Sequence, residues 1–210
     1  MRIMDTKSRI LETAFKLFLK NGFADVSLNE IIRESDITTG GFYYHFDSKE
    51  TLLVEVIKKY IFNYFSSILE QIRDFEGTPE EKFKTVILNI VGDDSTINET
   101  TQLVESAEKI DYRVLHLLLF EGVQKYDIIA EHYTEFYYNL LDFNKEVLNE
   151  GISQGVIRDD IDITELALLI QTVMVGTVLM WIGIPEMPLE ERMDFNMHNI
   201  WNFIEKNSSS

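Results

Sequence analysis

Between Ser27 and Glu50 the chain gathers groups suited to holding phosphate oxygens and reading base edges. Thr38, Thr39, Tyr43, Tyr44 and His45 supply hydroxyl, phenol and imidazole groups, and Lys49 adds an ammonium. Gly40 and Gly41 remove side-chain bulk, so the backbone there can come close to whatever lies against it. Two adjacent glycines cost a free helix roughly 2 kcal/mol relative to alanine, which implies a compensating role. The elements that must position these groups are short. Ser27 with Glu30 three residues on reads as a capping box, and Leu28, Ile31 and Ile32 follow at helical spacing. Thr38 then caps a second helix after a tight turn at Ser35-Asp36-Ile37. Two short helices joined in this way have the format of a helix-turn-helix, whose second helix enters the DNA major groove.

From Ser27 to Glu50 the chain resembles, almost position for position, the N-terminal domain of the TetR family of transcriptional regulators. The resemblance is specific over residues 6–53 and architectural beyond them. It implies that Ser27, Thr38, Thr39, Gly40, Gly41, Tyr43, Tyr44, His45 and Lys49 form the DNA-binding surface. In that reading Tyr44, His45 and Lys49 hold phosphates, Thr39 and Gly41 lie at base edges, and Phe46 is core. Only the base-edge group carries sequence information. The chain departs from the family pattern at Ser35-Asp36, where Ala-Gly is common. Asp36 either repels phosphate or caps the turn from outside the interface.

Charge is distributed unevenly. The whole chain carries −17, yet residues 1–50 hold seven Lys/Arg against eight Asp/Glu, while residues 51–210 hold twelve against twenty-eight. The acidity therefore belongs to the second part, and charges beyond a Debye length of about 8 Å from DNA are largely screened. Arg2, Lys7, Arg9 and Lys49 lie near the helix ends that would face a duplex. There is no cysteine, hence no disulfide framework, thiolate metal site or cysteine nucleophile. Nothing before the first helix reads as a signal peptide, and the apolar run Val173 to Ile184 is short for a bilayer. A soluble cytoplasmic protein with no membrane partner is the expectation.

The pattern predicts an all-α chain of about nine helices. A three-helix DNA-binding domain over 1–47 is followed by a six-helix ligand-binding and dimerisation domain over 48–210. The first helix runs from near Thr6 to Lys20, with Ile10, Leu11, Ala14, Leu17 and Phe18 on one face and Asn21-Gly22 as its stop. Asp47-Ser48-Lys49-Glu50 reads as a capping box opening a helix to about Asp74, striped with Leu53, Val56, Ile57, Tyr60, Ile61, Tyr64, Phe65, Ile68 and Ile72. Thr78-Pro79-Glu80-Glu81 opens another that ends near Gly92. Further helices are expected over Glu99–Lys109, Tyr112–Lys125, Ile128–Ser153, 163–182 and Leu189–Lys206.

The helix at 163–182 is apolar nearly all round and must be covered on two sides. The resemblance implies that it and the helix at 189–206 build a homodimer interface, which places two recognition helices about 34–36 Å apart over a palindrome. A small-molecule effector is the second implied partner. Candidate lining residues are Tyr112, Leu119, Phe120, Tyr133, Phe136, Tyr137, Met174 and Trp181, with Glu105 among interleaved acids that include Glu108, Glu121, Glu131 and Glu135. A carboxylate beside aromatic faces suits a lipophilic cation, so a mainly apolar and possibly cationic effector is expected.

Enzyme readings fail on context. Gly151-Ile152-Ser153-Gln154-Gly155 fits G-x-S-x-G, and Asp159, Asp160, Asp162 and His198 follow, but the stretch closes a long helix with no strand pattern nearby. None of His45, His116, His132 and His198 has a glutamate three residues before it, so di-iron spacing is missing. No cofactor and no metal are implied. The expected function is a ligand-responsive repressor that binds a palindromic operator. The alternative is an acidic helical ligand-binding or scaffold dimer without sequence-specific DNA binding.

Overall fold

The computed structural model describes residues 5–90, 111–184 and 186–206. Their regular structure is α-helical apart from one π-helical turn and an isolated antiparallel bridge between Ile157 and Glu205. The all-α expectation holds. The described parts of Met1–Tyr64 and Gln102–Thr134 pack as one compact unit, and those of Phe65–Thr101 and Glu135–Ser210 as a second.

In the first unit, α1 (Thr6–Asn21) starts at Asp5, whose carboxylate accepts the Ser8 N–H at 2.9 Å. That hydrogen bond holds the Asp5 carboxyl below the usual carboxylate range. The helix stops at Gly22, where φ is +78° and the N–H donates to Phe18 O at 2.9 Å. Its buried face is Ile10, Leu11, Ala14, Phe15 and Phe18. Phe15 stands where Leu17 was expected: it stacks on Tyr60 with centroids 4.4 Å apart, while Leu17 is half-buried. Helices α2 (Leu28–Glu34) and α3 (Thr39–His45) follow.

Helix α4 (Lys49–Ile57) is capped by Ser48, whose Oγ accepts the Thr51 N–H at 3.1 Å. The cap is thus Ser48 rather than Asp47. The expected single helix to Asp74 is interrupted by a π-helical turn over Lys58–Phe62 and resumes as α5 (Asn63–Arg73). An α-helical step of about 100° spreads three consecutive residues around the surface, and the π turn occurs where Tyr60, Ile61 and Phe62 are all buried. All nine residues of the expected stripe are buried.

Helix α6 (Pro79–Ile90) belongs to the second unit. The helix expected over Glu99–Lys109, the stop near Gly92, and Arg2, Glu105 and Glu108 lie outside the described residues. Helix α7 (Tyr112–Lys125) has the expected bounds and packs on α1 and α4 in the first unit. Gly122 makes that approach possible: an added Cβ would lie 2.7 Å from Ile57 Cδ1. Phe23 meets Tyr126 edge-on at 6.3 Å nearby.

The second unit contains α6, most of α8 (Asp127–Ser153), α9 (Ile163–Gly183) and α10 (Leu189–Ile204). Thr78 and Glu81 cap α6 reciprocally: the Thr78 N–H donates to Glu81 Oε2 at 2.7 Å, and the Glu81 N–H to Thr78 Oγ1 at 3.2 Å. Lys82 reaches Glu150 on α8 at 2.7 Å, and Arg73 reaches Glu146 at 2.8 Å. Asp162 accepts the Thr164 and Glu165 N–H groups to open α9. Asn196 on α10 donates to Thr177 Oγ1 on α9 at 2.9 Å. Ser153, the serine of the rejected hydrolase pattern, ends α8 with its Oγ donating to Glu150 O, and Gly155 follows with φ of +73°.

Candidate nucleic-acid interface

The turn between α2 and α3 is built by two residues that depart from the common Ala-Gly. Asp36 has φ of +51°, in the left-handed region that glycine prefers and aspartate tolerates. Its N–H donates to Arg33 O at 3.1 Å, and its carbonyl accepts from Arg9 Nη2 at 3.4 Å. Its exposed position leaves the carboxylate in solvent. Ser35 is fully buried, and its Oγ has no hydrogen-bond partner. The turn therefore has a left-handed residue where glycine would be unstrained, made here by an aspartate.

Two side-chain caps then fix the helices. Ser27 Oγ accepts the Glu30 N–H at 3.1 Å, and Thr38 Oγ1 accepts the Gly41 N–H at 3.0 Å. Phe42 and Phe46 anchor α3 to the core, their rings 5.7 Å apart. With that face buried, the other face of α3 points outward: Tyr44 is 84% exposed and Tyr43 53%. Thr39 and Gly40 are exposed, Gly41 and His45 half-buried, and His45 lies edge-on to Tyr44 at 4.9 Å. A Cβ at Gly40 would meet nothing within 4 Å. No packing among the described residues demands glycine there.

Lys49 is placed differently from the rest of the expected set. Its Nζ donates to the carbonyls of Phe23 at 2.9 Å and Val26 at 2.7 Å and lies 4.2 Å from the Phe23 ring centroid. It braces the segment between α1 and α2. Lys7 is paired with Glu55 and Arg33 with Glu34, both pairs being exposed to solvent. The sequence signalled the position of Lys49 but not its inward partners, which lie more than twenty residues away.

Residues 10–56 match the profile described as "Bacterial regulatory proteins, tetR family". The HTH-type transcriptional regulator YerO of Bacillus subtilis is 30% identical over 168 residues, which are 68% of this chain and 58% of YerO. The chain belongs to the TetR family. The fatty acid metabolism regulator protein of B. subtilis is 24% identical over 83% of this chain and 82% of its own length. A crystal structure of a transcriptional regulator from Saccharomonospora viridis in complex with choline superposes with a TM-score of 0.73 at 19% identity, covering 96% of this chain and 98% of that one. At that identity the likeness is one of fold. The aligned part of this TetR-family chain thus spans a little over half of YerO and most of the other two. Both relatives are named as regulators.

The effector candidates of this TetR-family protein are divided between the units. Tyr112, Leu119, Phe120 and Tyr133 belong to the first, where Tyr112 and Tyr64 share a phenol hydrogen bond of 3.2 Å and Phe120 meets Tyr133 edge-on at 6.3 Å. Burial and the pairing push the Tyr64 phenol far above its ordinary value. Phe136, Tyr137, Met174 and Trp181 belong to the second. Among the acids, Glu121 is paired with Lys125 at 2.7 Å, and Glu131 and Glu135 are exposed.

In α9 one face, with Leu166, Ala167, Ile170, Gln171, Met174, Thr177 and Val178, is buried. The other leaves Leu168, Leu169, Leu179 and Met180 exposed, joined on α10 by Phe195 and Phe203. By length and composition α9 would suffice to cross a bilayer, with a mean hydropathy of 2.0 over its most apolar window, so counting the run from Val173 alone understates it.

Proposed function

We propose that the chain is a ligand-responsive transcriptional repressor that binds a palindromic operator as a homodimer and is released by a small, mainly apolar effector. The observation that carries this reading is the outward face of α3. Tyr43, Tyr44, Thr39 and Gly40 stand away from the core on a helix fixed by the Thr38 cap and the Phe42–Phe46 anchor. A face rich in hydroxyls and phenols, with glycine where no packing needs it, suits a hydrogen-bonding polyanion. In this proposal Thr39 and Gly41 face base edges, while Ser27, Thr38, Tyr43, Tyr44 and His45 hold the backbone. Lys49 supports them from within.

The homodimer forms through α9 and α10. Their uncovered leucine, methionine and phenylalanine side chains are the apolar surface a second copy covers, and this assigns α9's outer face to protein rather than lipid. The DNA-binding domain over 1–47 then reports to the ligand-binding and dimerisation domain over 48–210, and the protein acts in the cytoplasm where its operator lies. Effector binding matters through differential affinity for two spacings of the heads. The test is selection from random duplex DNA at about 150 mM salt, physiological ionic strength. Enrichment of one palindrome is expected; a folded dimer that enriches none contradicts the proposal.

A further inference from the structure

The second unit holds a polar side chain that no described residue satisfies. Asn144 on α8 is fully buried, and neither its Oδ1 nor its Nδ2 has a hydrogen-bond partner. Burying such an atom without a partner is costly, so a wholly orphaned carboxamide marks a place where a partner from outside the chain belongs.

Its place in the fold is set by two contacts. A Cβ built on Gly151 would lie 3.2 Å from Pro79 Cγ, and Lys82 Nζ sits 2.7 Å from Glu150 Oε2. These contacts join the first turn of α6 to the C-terminal end of α8. Asn144 is two turns before Gly151 on the same face of α8, since seven residues bring a helix nearly full circle. Val86 and Asn89 on α6, in the same unit, are fully buried as well. In the same unit Gln171 is buried; its Nε2 donates to Tyr137 O at 3.1 Å, and its Oε1 is unpartnered. Leu140, one turn before Asn144 on α8, and Met174, one turn after Gln171 on α9, are buried apolar neighbours at helical spacing.

Resting on the regulator reading above, the geometry points to Asn144 as the polar anchor of the effector, an apolar molecule carrying a neutral group that both donates and accepts. The assignment follows from the atoms. An ammonium can serve Oδ1 but leaves Nδ2 unpartnered. A carboxylate can serve Nδ2 but leaves Oδ1 unpartnered. A primary amide or an undissociated carboxyl presents an acceptor beside a donor and closes a paired ring with the asparagine side chain. The described carboxylates offer no competing buried site for a cation, because Glu121 is paired with Lys125 and Glu131 and Glu135 are exposed.

The test measures binding of decanamide to the full-length protein by calorimetry, with N,N-dimethyldecanamide and decyltrimethylammonium as matched probes. The wild type is expected to bind decanamide at least about tenfold more tightly than either, because a site built around a donor and an acceptor rejects analogues lacking one. In Asn144→Leu the preference should vanish while the unliganded melting temperature stays level or rises. Equal affinity for the three probes, no decanamide binding by the wild type, or an unchanged preference in Asn144→Leu overturns the inference. The wild-type comparison decides even if the variant does not fold. A protein that selects an operator yet ignores decanamide loses only this inference. One that binds decanamide through Asn144 but selects no DNA loses only the regulator reading.

Discussion

The outward faces of α3 and α9 are both uncovered, and they differ in kind. On α3 the exposed groups are phenols, hydroxyls and bare backbone; on α9 they are leucines and a methionine. Both helices are capped by a side-chain oxygen and anchored by a buried apolar face, so local helix physics does not separate them. What separates them is the partner each face can satisfy. The first offers hydrogen bonds to a polyanion, and the second removes apolar area from water.

Exchanging the chemistry of the α9 face should give the largest effect. Leu168→Glu with Leu179→Glu places charges on the proposed interface and should weaken dimerisation at least 100-fold, roughly 3 kcal/mol. Sedimentation would then show a folded monomer, and operator binding should fall with it. A dimer of unchanged affinity would remove α9 from the interface. Next comes the support beneath the α3 face. Gly122→Ala brings a methyl against Ile57 and Ile129 and should destabilise the first unit by about 1–3 kcal/mol in urea denaturation, the usual range for overpacking. Lys49→Met separates bracing from phosphate contact. It should lower stability by about 1–2 kcal/mol through the lost carbonyl bonds while leaving the salt slope of DNA binding unchanged. A slope flatter by about one unit would show that Lys49 holds a phosphate.

Smaller effects sharpen the picture of the turn. Ser35→Ala removes an orphaned hydroxyl, and Asp36→Gly relieves a left-handed aspartate; each should raise stability by about 1 kcal/mol, read as a higher melting temperature. A pH effect comes from His116, buried on α7, where desolvation lowers its pKa from the ordinary 6.5. The unfolded chain takes up a proton that the folded one resists. Its stability contribution is therefore intact above about 6.5 and is lost as the pH falls through the folded-state value. His116→Gln should flatten that acid limb in pH-dependent melting.

The two faces were also unequally legible in the sequence. Around α3 nearly everything was local. Caps act over three residues, Gly22 ends α1 within its own turn, and α7 has the bounds its pattern predicts. That α9 is apolar on both faces was legible too: Leu166, Ala167, Ile170, Met174 and Val178 are buried on one, and Leu168, Leu169 and Leu179 stand exposed on the other. The π turn at Lys58–Phe62 was not, because an apolar stripe continues across it without a break in period. The inward placement of Lys49 depends on carbonyls more than twenty residues away. Asn144 gave no signal at all, as a single asparagine has no periodicity and is usually exposed.

The central claim is that the α3 face reads base sequence. The direct test is the affinity of wild type and Thr39→Ala for the selected operator and for each of its single-base variants at fixed salt. The account predicts altered preference at one symmetric position in each half-site, with the other positions unaffected. An equal loss on every sequence would show that Thr39 reads no base and would contradict the assignment of that face.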